Sequence, residues 1–390
     1  MISVHHIGAR SGSHPFPFNE KFNDEIFYVM YDADESCIDQ IKEEFEQSKV
    51  KCKVIYSGVG EKKETRCLNI NYDPNTSSFL NVNKNYSEYY YSTAAGYDYI
   101  VDDSYSVVKE CAVNTKTLDE LCSEYNITFP DVLSMDTQGT ELEILKGASN
   151  ALKNTVAVLT EVAFIPIYKD QPLFKDIDEY LIKHGFIFCR FYAEHADMSP
   201  YRAPIGARGK GLMVAADAIY LKSPEYICNG DETNEEKNRM LLKLSYVALS
   251  YGMLEYSLKC IKLAKINTGS FDRDNKIFSF MNTLYHEVEK YSLYPKKFSD
   301  VFSVNDSMGR FDSKKNIIKT SKFKLIIKKS FVYVLVRRYR RFIEGIKSFT
   351  LNLKYIIAMK LYKNTSIENL LIDNGMPELA VDIKSNRLNA

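Results

Sequence analysis

The sequence predicts an α/β protein built on an open, doubly wound sheet and followed by an α-helical C-terminal region. Two observations carry this reading. Through the first 220 or so of 390 residues, short runs rich in β-branched and aromatic residues alternate with amphipathic helical patterns, as stacked βαβ units require. After Pro224 the strand pattern stops and only helical periodicity continues. A chain of this length exceeds what one core usually holds. The expected division is 1–224 for the sheet domain, 225–300 for a helical region and 301–390 for a basic helical tail.

In chain order, strands are expected over 2–7, 26–31, 53–57, 131–136, 156–162, 186–192 and 217–221. Helices are expected over 37–47, 118–125, 141–152 and 174–184, each with apolar residues at three- and four-residue spacing. Ser36 and Thr117 supply helix-starting side chains. Between 71 and 114 the pattern breaks into a polar stretch rich in tyrosine (Tyr86, Tyr89, Tyr90, Tyr91, Tyr97, Tyr99, Tyr105). Insertions of this length usually serve as lids or mobile loops. The stretch 234–267 reads as two helices with Gly252 at the turn. Leu244, Ala248, Gly252, Tyr256, Ser257 and Ala264 resemble one tetratricopeptide pair, but no second copy follows, so an ordinary helical hairpin is the better reading.

Charge is balanced, with 51 Lys plus Arg against 51 Asp plus Glu, which removes any whole-chain argument for a nucleic-acid partner. The distribution is uneven. Residues 313–363 carry fifteen Lys or Arg and the single acid Glu344. Phe331, Leu335, Phe342, Ile346 and Phe349 line one face of a helix there, while Arg337, Arg340, Arg341 and Lys347 take the other. Such a segment suits peripheral contact with an anionic membrane. Alternatively, its apolar face packs on the sheet domain or on a second subunit, giving a homo-oligomer. The eight cysteines are scattered singly and read as buried thiols in a reducing compartment. With no leader pattern and no apolar run near the ~20 residues of a membrane span, the expected location is cytoplasmic, with the tail at the inner face of a membrane.

Four places carry chemistry. The first strand runs into HIGARSG, 6–12, so that Gly8 and Gly12 form a strand-to-helix turn where backbone can approach a ligand. About twenty residues on, the second strand ends in Asp32, placed to bond ribose hydroxyls or, more plainly, to open the next helix. The segment 131–148, DVLSMDTQGTELEILKGA, ends its strand in Asp136, which either faces the ligand crevice or caps the turn at Thr137. In the next strand Glu161 interrupts an apolar run, and a buried carboxylate needs a partner or a cation. Together Asp136 and Glu161 could hold magnesium or activate a hydroxyl. His6 and His195 are further candidate bases, with a structural role for each the stronger reading.

HIGARSG, YDAD (31–34), TLDEL (117–121), LSMDTQGTELEILKGA (133–148), LTEVAFIPIY (159–168), QPLF (171–174), HGF (184–186) and DAIYLK (217–222), in that order, resemble the FkbM family of methyltransferases. The resemblance covers residues 1 to about 222 and rests chiefly on the long central segment. It implies a Rossmann-like class I methyltransferase sheet, S-adenosyl-L-methionine as methyl donor and transfer to an oxygen, often a hydroxyl of a sugar or polyketide. Carried across, Gly8 and Gly12 form the cofactor turn, Asp32 takes the ribose, and Asp136 and Glu161 line the reaction site; beyond the resemblance, His6, Arg10 and Ala33 are expected at the cofactor and His195 at the reaction site. The chain departs from the family in carrying His6 in place of an acid and Gln138 in place of Glu.

The expected function is therefore S-adenosylmethionine-dependent O-methylation of a sugar or glycan, lipid-linked acceptors included. A nucleotide-dependent oxidoreductase fits less well, because GARSG lacks the second close-approach glycine and no Tyr/Lys pair for hydride transfer is apparent. A catalytically silent binding or assembly module is the other alternative, supported by His6. A nucleic-acid methyltransferase is disfavoured, since the chain has no Asp/Asn-Pro-Pro-Tyr element and its basic residues do not concentrate on the sheet domain.

Overall fold

The computed structural model describes residues 1–10, 16–17, 19–48, 50–87, 91–94, 97–198, 211–264, 275–289 and 366–381. The chain forms two compact units, Met1–Thr283 and Leu284–Ala390. The strands of the first unit are β1 (Ile2–Ile7), β2 (Ile26–Asp32), β3 (Lys51–Tyr56), β4 (Gly58–Val59), β5 (Glu64–Asn71), β6 (Tyr91–Ala94), β7 (Tyr97–Ile100), β8 (Val107–Lys116), β9 (Val132–Met135), β10 (Ala157–Ala163), β11 (Phe186–Met198) and β12 (Leu212–Lys222).

Seven of them form the main sheet in the order β11-β12-β10-β9-β1-β2-β3. β1, β2, β3, β9 and β10 run parallel, whereas β12 is antiparallel to both β10 and β11. The sheet expected to be parallel is therefore mixed at one side. The chain leaves β1 toward β2 and β3, then returns to β9 on the other side of β1. That reversal opens a crevice at the carboxyl ends of β1 and β9, the usual ligand position in open α/β sheets.

One face of the sheet (Ile7, Val29, Tyr31, Leu133, Met135, Val158) packs on Leu118, Leu121, Ile144, Leu145, Ile177 and Leu181 in one continuous core. These come from the helices Leu118–Glu124, Glu141–Lys146 and Phe174–Lys183. The first begins where its sequence predicts, with a reciprocal cap in which Thr117 Oγ1 accepts from Glu120 N and Glu120 Oε2 accepts from Thr117 N. Before helix Ile38–Ser48 the cap is Asp34, which accepts from Ser36 N, and not Ser36 itself. The helix expected over 141–152 is two, Glu141–Lys146 and Ala151–Asn154. At the break, a Cβ on Gly147 would collide with the backbone of Gly60, so only glycine lets these segments touch.

On the opposite face Tyr28 meets Phe45, and Tyr246 meets Phe16 and Phe22, with ring centroids 5.6 to 6.1 Å apart. Tyr246 belongs to helix Asn234–Ser250, which pairs with Leu254–Leu263 across a turn at Gly252 (φ 80°). The hairpin expected from 234–267 is thus present, inside the first compact unit. Lys243 on it bonds both oxygens of the buried Asp131 at 2.8 Å.

The segment expected to be a loop after residue 71 contributes to a second sheet. β8 pairs antiparallel with β5 and parallel with β4, while β6 and β7 make a separate hairpin. Tyr86 and Tyr105 pack with Ile167 and Tyr168 in a small cluster of their own.

In the second unit the helix Ser366–Asp373 buries Ile367 and Leu371. The basic segment 313–363, and with it the membrane and subunit expectations, lies outside the described residues. Among the described residues no helix is long and apolar enough to cross a membrane.

Candidate active site

A cleft of about 320 Å³ opens at the carboxyl ends of β1, β2 and β9, lined by Ile7, Gly8, Arg10, Tyr31, Asp32, Ala33, Asp34, Asp136, Thr137, Gln138 and Thr140 from the main sheet and its turns. Its other wall comes from the side sheet and the segment following β5: Val59, Leu68, Pro74, Asn75, Ser77 and Phe79. The fold thus brings together Gly8, Arg10, Asp32, Ala33 and Asp136 of the predicted site.

Gly8 turns the chain at the end of β1 with φ 85°, and its N–H and that of Ala9 both donate to Tyr31 O. A Cβ on Gly8 would lie far inside van der Waals contact distance of the Asp136 backbone oxygen. Glycine here therefore allows the ends of β1 and β9 to close on each other. Gly12, the second glycine of the turn, lies outside the described residues.

Asp32 is buried. Its Oδ2 accepts from Arg10 N at 2.9 Å and its Oδ1 from Asp34 N at 2.8 Å. Burial raises its pKa, opposed by these bonds, the Arg10 charge and the Cys37 thiol. A carboxylate offers about four lone-pair sites, so it keeps capacity for a ligand hydroxyl. Asp34, which sequence reasoning did not single out, lines the same cleft and is ion-paired with Arg10.

His6 does not line the cleft. It is buried at the β1/β9 seam with Nδ1 2.9 Å from Ser134 Oγ, and burial pulls its pKa down to about 4 against the raising effects of the Gly8 backbone, Asp217 and Ser134. A neutral imidazole inside the sheet is placed as core rather than as a ligand-facing base. His195 sits on β11 opposite Ala215, and its side chain is outside the described residues.

Asp136 and Glu161 do converge, through a third residue. Gln138 Nε2 donates to Asp136 Oδ1 at 2.8 Å and to Glu161 Oε2 at 3.0 Å. Directly across the sheet Glu161 is in register with Asp217. Burial holds the Glu161 carboxyl well above the usual range, with Asp136, Glu141 and Asp217 adding to the effect in that order. The turn that presents Gln138 is left-handed (Gln138 φ 55°, Gly139 φ 105°). It is fixed from beneath by buried Glu141, whose carboxylate accepts from Thr137 N, Thr137 Oγ1 and Gly139 N at 2.9 to 3.2 Å.

Between the two acids, where a magnesium ion was expected, the structure places the Gln138 amide. An amide NH2, itself a positive dipole end, occupies the bridging position, and among the described residues no group of three or more His, Cys, Asp or Glu converges to hold a metal.

The wall residues were missed because Val59 and Leu68 come from a sheet whose strands pair with residues 43 to 57 positions away (Leu68 with Cys111, Val59 with Lys116), and Asn75, Ser77 and Phe79 follow β5 outside any regular pattern. The local signal was slight: Gly58 and Gly60 flanking Val59. Of the predicted tyrosines, Tyr86 and Tyr105 are not among the residues lining the cleft.

Residues 6–188 match the family model described as Methyltransferase FkbM domain. No curated protein matches the chain. Among solved structures, TrmK of M. capricolum, in complex with S-adenosyl-homocysteine, is similar at 10% identity over 74% of this chain and 90% of that one, with a TM-score of 0.28. The human methyltransferase 10 domain containing protein is similar at 10% identity over 57% of this chain and 72% of that one, with a TM-score of 0.25.

Proposed function

With a Methyltransferase FkbM domain over residues 6–188 as the premise, we propose that this protein transfers a methyl group from S-adenosylmethionine to a hydroxyl oxygen of a sugar or glycan. The observation that carries the reading is the adjacency of two features in one cleft. A nucleoside-sized recess bears acids at the end of β2, and the carboxylate of Asp136 stands at the end of β9 beside Glu161.

The residues present fit the cofactor. Asp32 and Asp34 are the acceptors available to a ribose diol, the Gly8 turn leaves backbone at the cleft surface, and Leu68 and Phe79 provide an apolar wall for a base. When bound, the cofactor supplies an electrophilic methyl on a sulfonium centre. The protein has then to hold the acceptor oxygen in line and to receive its proton. Glu161 is the better base: its environment raises its proton affinity, whereas Asp136 is exposed and orients the acceptor hydroxyl. The acceptor O–H proton would pass to a Glu161 oxygen as the methyl carbon bonds to the acceptor oxygen and its bond to sulfur breaks, the donor leaving as a neutral thioether.

Titration calorimetry tests the cofactor part. S-adenosylmethionine should bind and NAD should not. Asp32→Ala should weaken binding by about 1.5–3 kcal/mol, the worth of hydrogen bonds to a charged group. Unchanged affinity in that variant would remove Asp32 from the site. Transfer of label from methyl-labelled S-adenosylmethionine to a panel of sugars and glycans tests the acceptor. Asp136→Asn should keep cofactor binding while labelling falls at least tenfold; full labelling in that variant would leave Asp136 without a role.

A further inference from the structure

Gln138 holds more polar contacts than any role in the turn requires. Its Nε2 donates to both Asp136 and Glu161, its backbone oxygen accepts from Ser78 Oγ at 2.7 Å, and its Oε1 lies 3.1 Å from Tyr168 Oη. The Tyr168 hydroxyl shares its single proton between Gln138 Oε1 and Thr76 O, the latter at 2.6 Å, next to Asn75 and Ser77 in the cleft wall. Tyr168 is itself buried, and its ring stands 5.5 Å from that of Tyr105.

The surroundings define which end of the amide faces which partner. A carboxylate accepts and cannot donate, so in the ionised form each acid pairs with the NH2 end, and a phenol O–H suits the oxygen end. Gln138 adopts a left-handed backbone that favours glycine or asparagine. The conformation aims the side chain at the carboxylates.

We propose that Gln138 is a positioning residue that keeps Glu161 available as a proton acceptor, by donating one NH2 group to both carboxylates while Tyr168 fixes the orientation of the amide. This rests on the reading of Glu161 as the base. The groups that face Glu161 are Asp136 on the turn after β9, Glu141 at the start of its helix and Asp217 on β12, and all three favour its protonated form. A hydrogen bond donated to the ionised form acts the other way. Without it, the proton affinity of Glu161 would rise further, and a smaller share of the protein would carry the carboxylate that can take a proton. In the reaction the acceptor oxygen loses its proton to Glu161, and Gln138 neither gains nor loses one.

The test is a site-resolved titration in the full chain, with glutamate labelled by ¹³C at Cδ and the Glu161 resonance identified from its loss in Glu161→Gln. Gln138→Met removes the donors at similar volume. It should move the Glu161 midpoint upward by roughly one pH unit or more, the equivalent of a hydrogen bond to a charged group. An unmoved midpoint in folded Gln138→Met overturns the proposal. Should that variant not fold, Tyr168→Phe decides: it deletes only the hydroxyl that orients the amide, and the midpoint should rise by a smaller amount. No rise there also overturns it. The titration needs no cofactor, so failure of S-adenosylmethionine to bind the parent protein would sink the functional reading while leaving this measurement independent.

Discussion

Replacing Gly8 with alanine should destabilise the first unit by on the order of 3 kcal/mol, the upper part of the range for single substitutions, and should abolish binding of S-adenosylmethionine. Two effects add. The backbone at Gly8 is left-handed, with φ 85°, which costs an L-residue about 1–2 kcal/mol. The new methyl group would also overlap the Asp136 backbone oxygen, and backbone cannot yield as the tip of a side chain can. Relief requires β1 and β9 to part at the point where Gly8 and Ala9 donate to Tyr31 O and Asp136 N donates to Ile7 O. The cleft floor and the Asp136–Gln138–Glu161 group would shift together. Thermal unfolding followed by circular dichroism suits a chain with 28 Tyr and no Trp; a drop of roughly 2–4 °C per kcal/mol is expected for a unit of this size. A melting temperature and cofactor affinity equal to the parent's would refute the close approach of the two strand ends.

The same residue shows what was legible in the sequence. The Gly turn and Asp32 could be read because both belong to a local strand-turn-helix pattern, and β1 and β2 fall where that pattern puts them, within one residue. The role of Gly8 against Asp136 could not, since the partner lies 128 residues away. Long-range pairing hides β5 and β8 for a similar reason. Their sequences, ETRCLNIN and VVKECAVNTK, keep polar residues on much of both faces because a large part of this small sheet is exposed, so no period-two alternation marks them. The antiparallel direction of β12 is likewise absent from local pattern. Its residues read as a strand either way.

At the site, the acids were found by the rule that a carboxylate breaking an apolar strand needs a reason. That rule points at Asp136 and Glu161 but is silent on what lies between them. Gln138 looked like a mild departure from the family because an amide keeps the shape of Glu. In three dimensions the change of charge is what matters: the amide donates where a carboxylate would repel. His6 follows the structural reading that the sequence already favoured. Its place in HIGARSG made the cofactor a candidate partner, and the strand's alternation places it in the sheet beside Ser134.

The second large effect is expected at the opposite end of β9. Lys243→Met should destabilise the first unit by about 3–5 kcal/mol at neutral pH, the loss that follows when one member of a buried ion pair is removed. Asp131 is buried, accepts from Ser3 N at 2.9 Å and is bonded by Lys243 through both oxygens. Burial raises its pKa, and the charge of Lys243 is the first effect opposing that rise. A carboxyl whose pKa is higher folded than unfolded penalises the fold when ionised, so the penalty is absent below the unfolded pKa and grows as pH rises through the folded one. Removing Lys243 lifts the folded value further. The deficit of Lys243→Met relative to the parent should therefore be largest at neutral pH and should narrow as the solution is acidified. Asp131→Asn in the same chain should restore much of the stability, because the neutral amide oxygen can still accept from Ser3 N. Denaturant unfolding of the parent, the single variant and the double variant at two pH values separates the possibilities. A deficit independent of pH, or one that Asp131→Asn deepens, would mean that Lys243 acts through packing of its stem and not through its charge. Because Asp131 opens the strand that Asp136 closes, the pair anchors the helical hairpin to the strand that carries the site, and cofactor affinity should fall with stability in the single variant and return in the double.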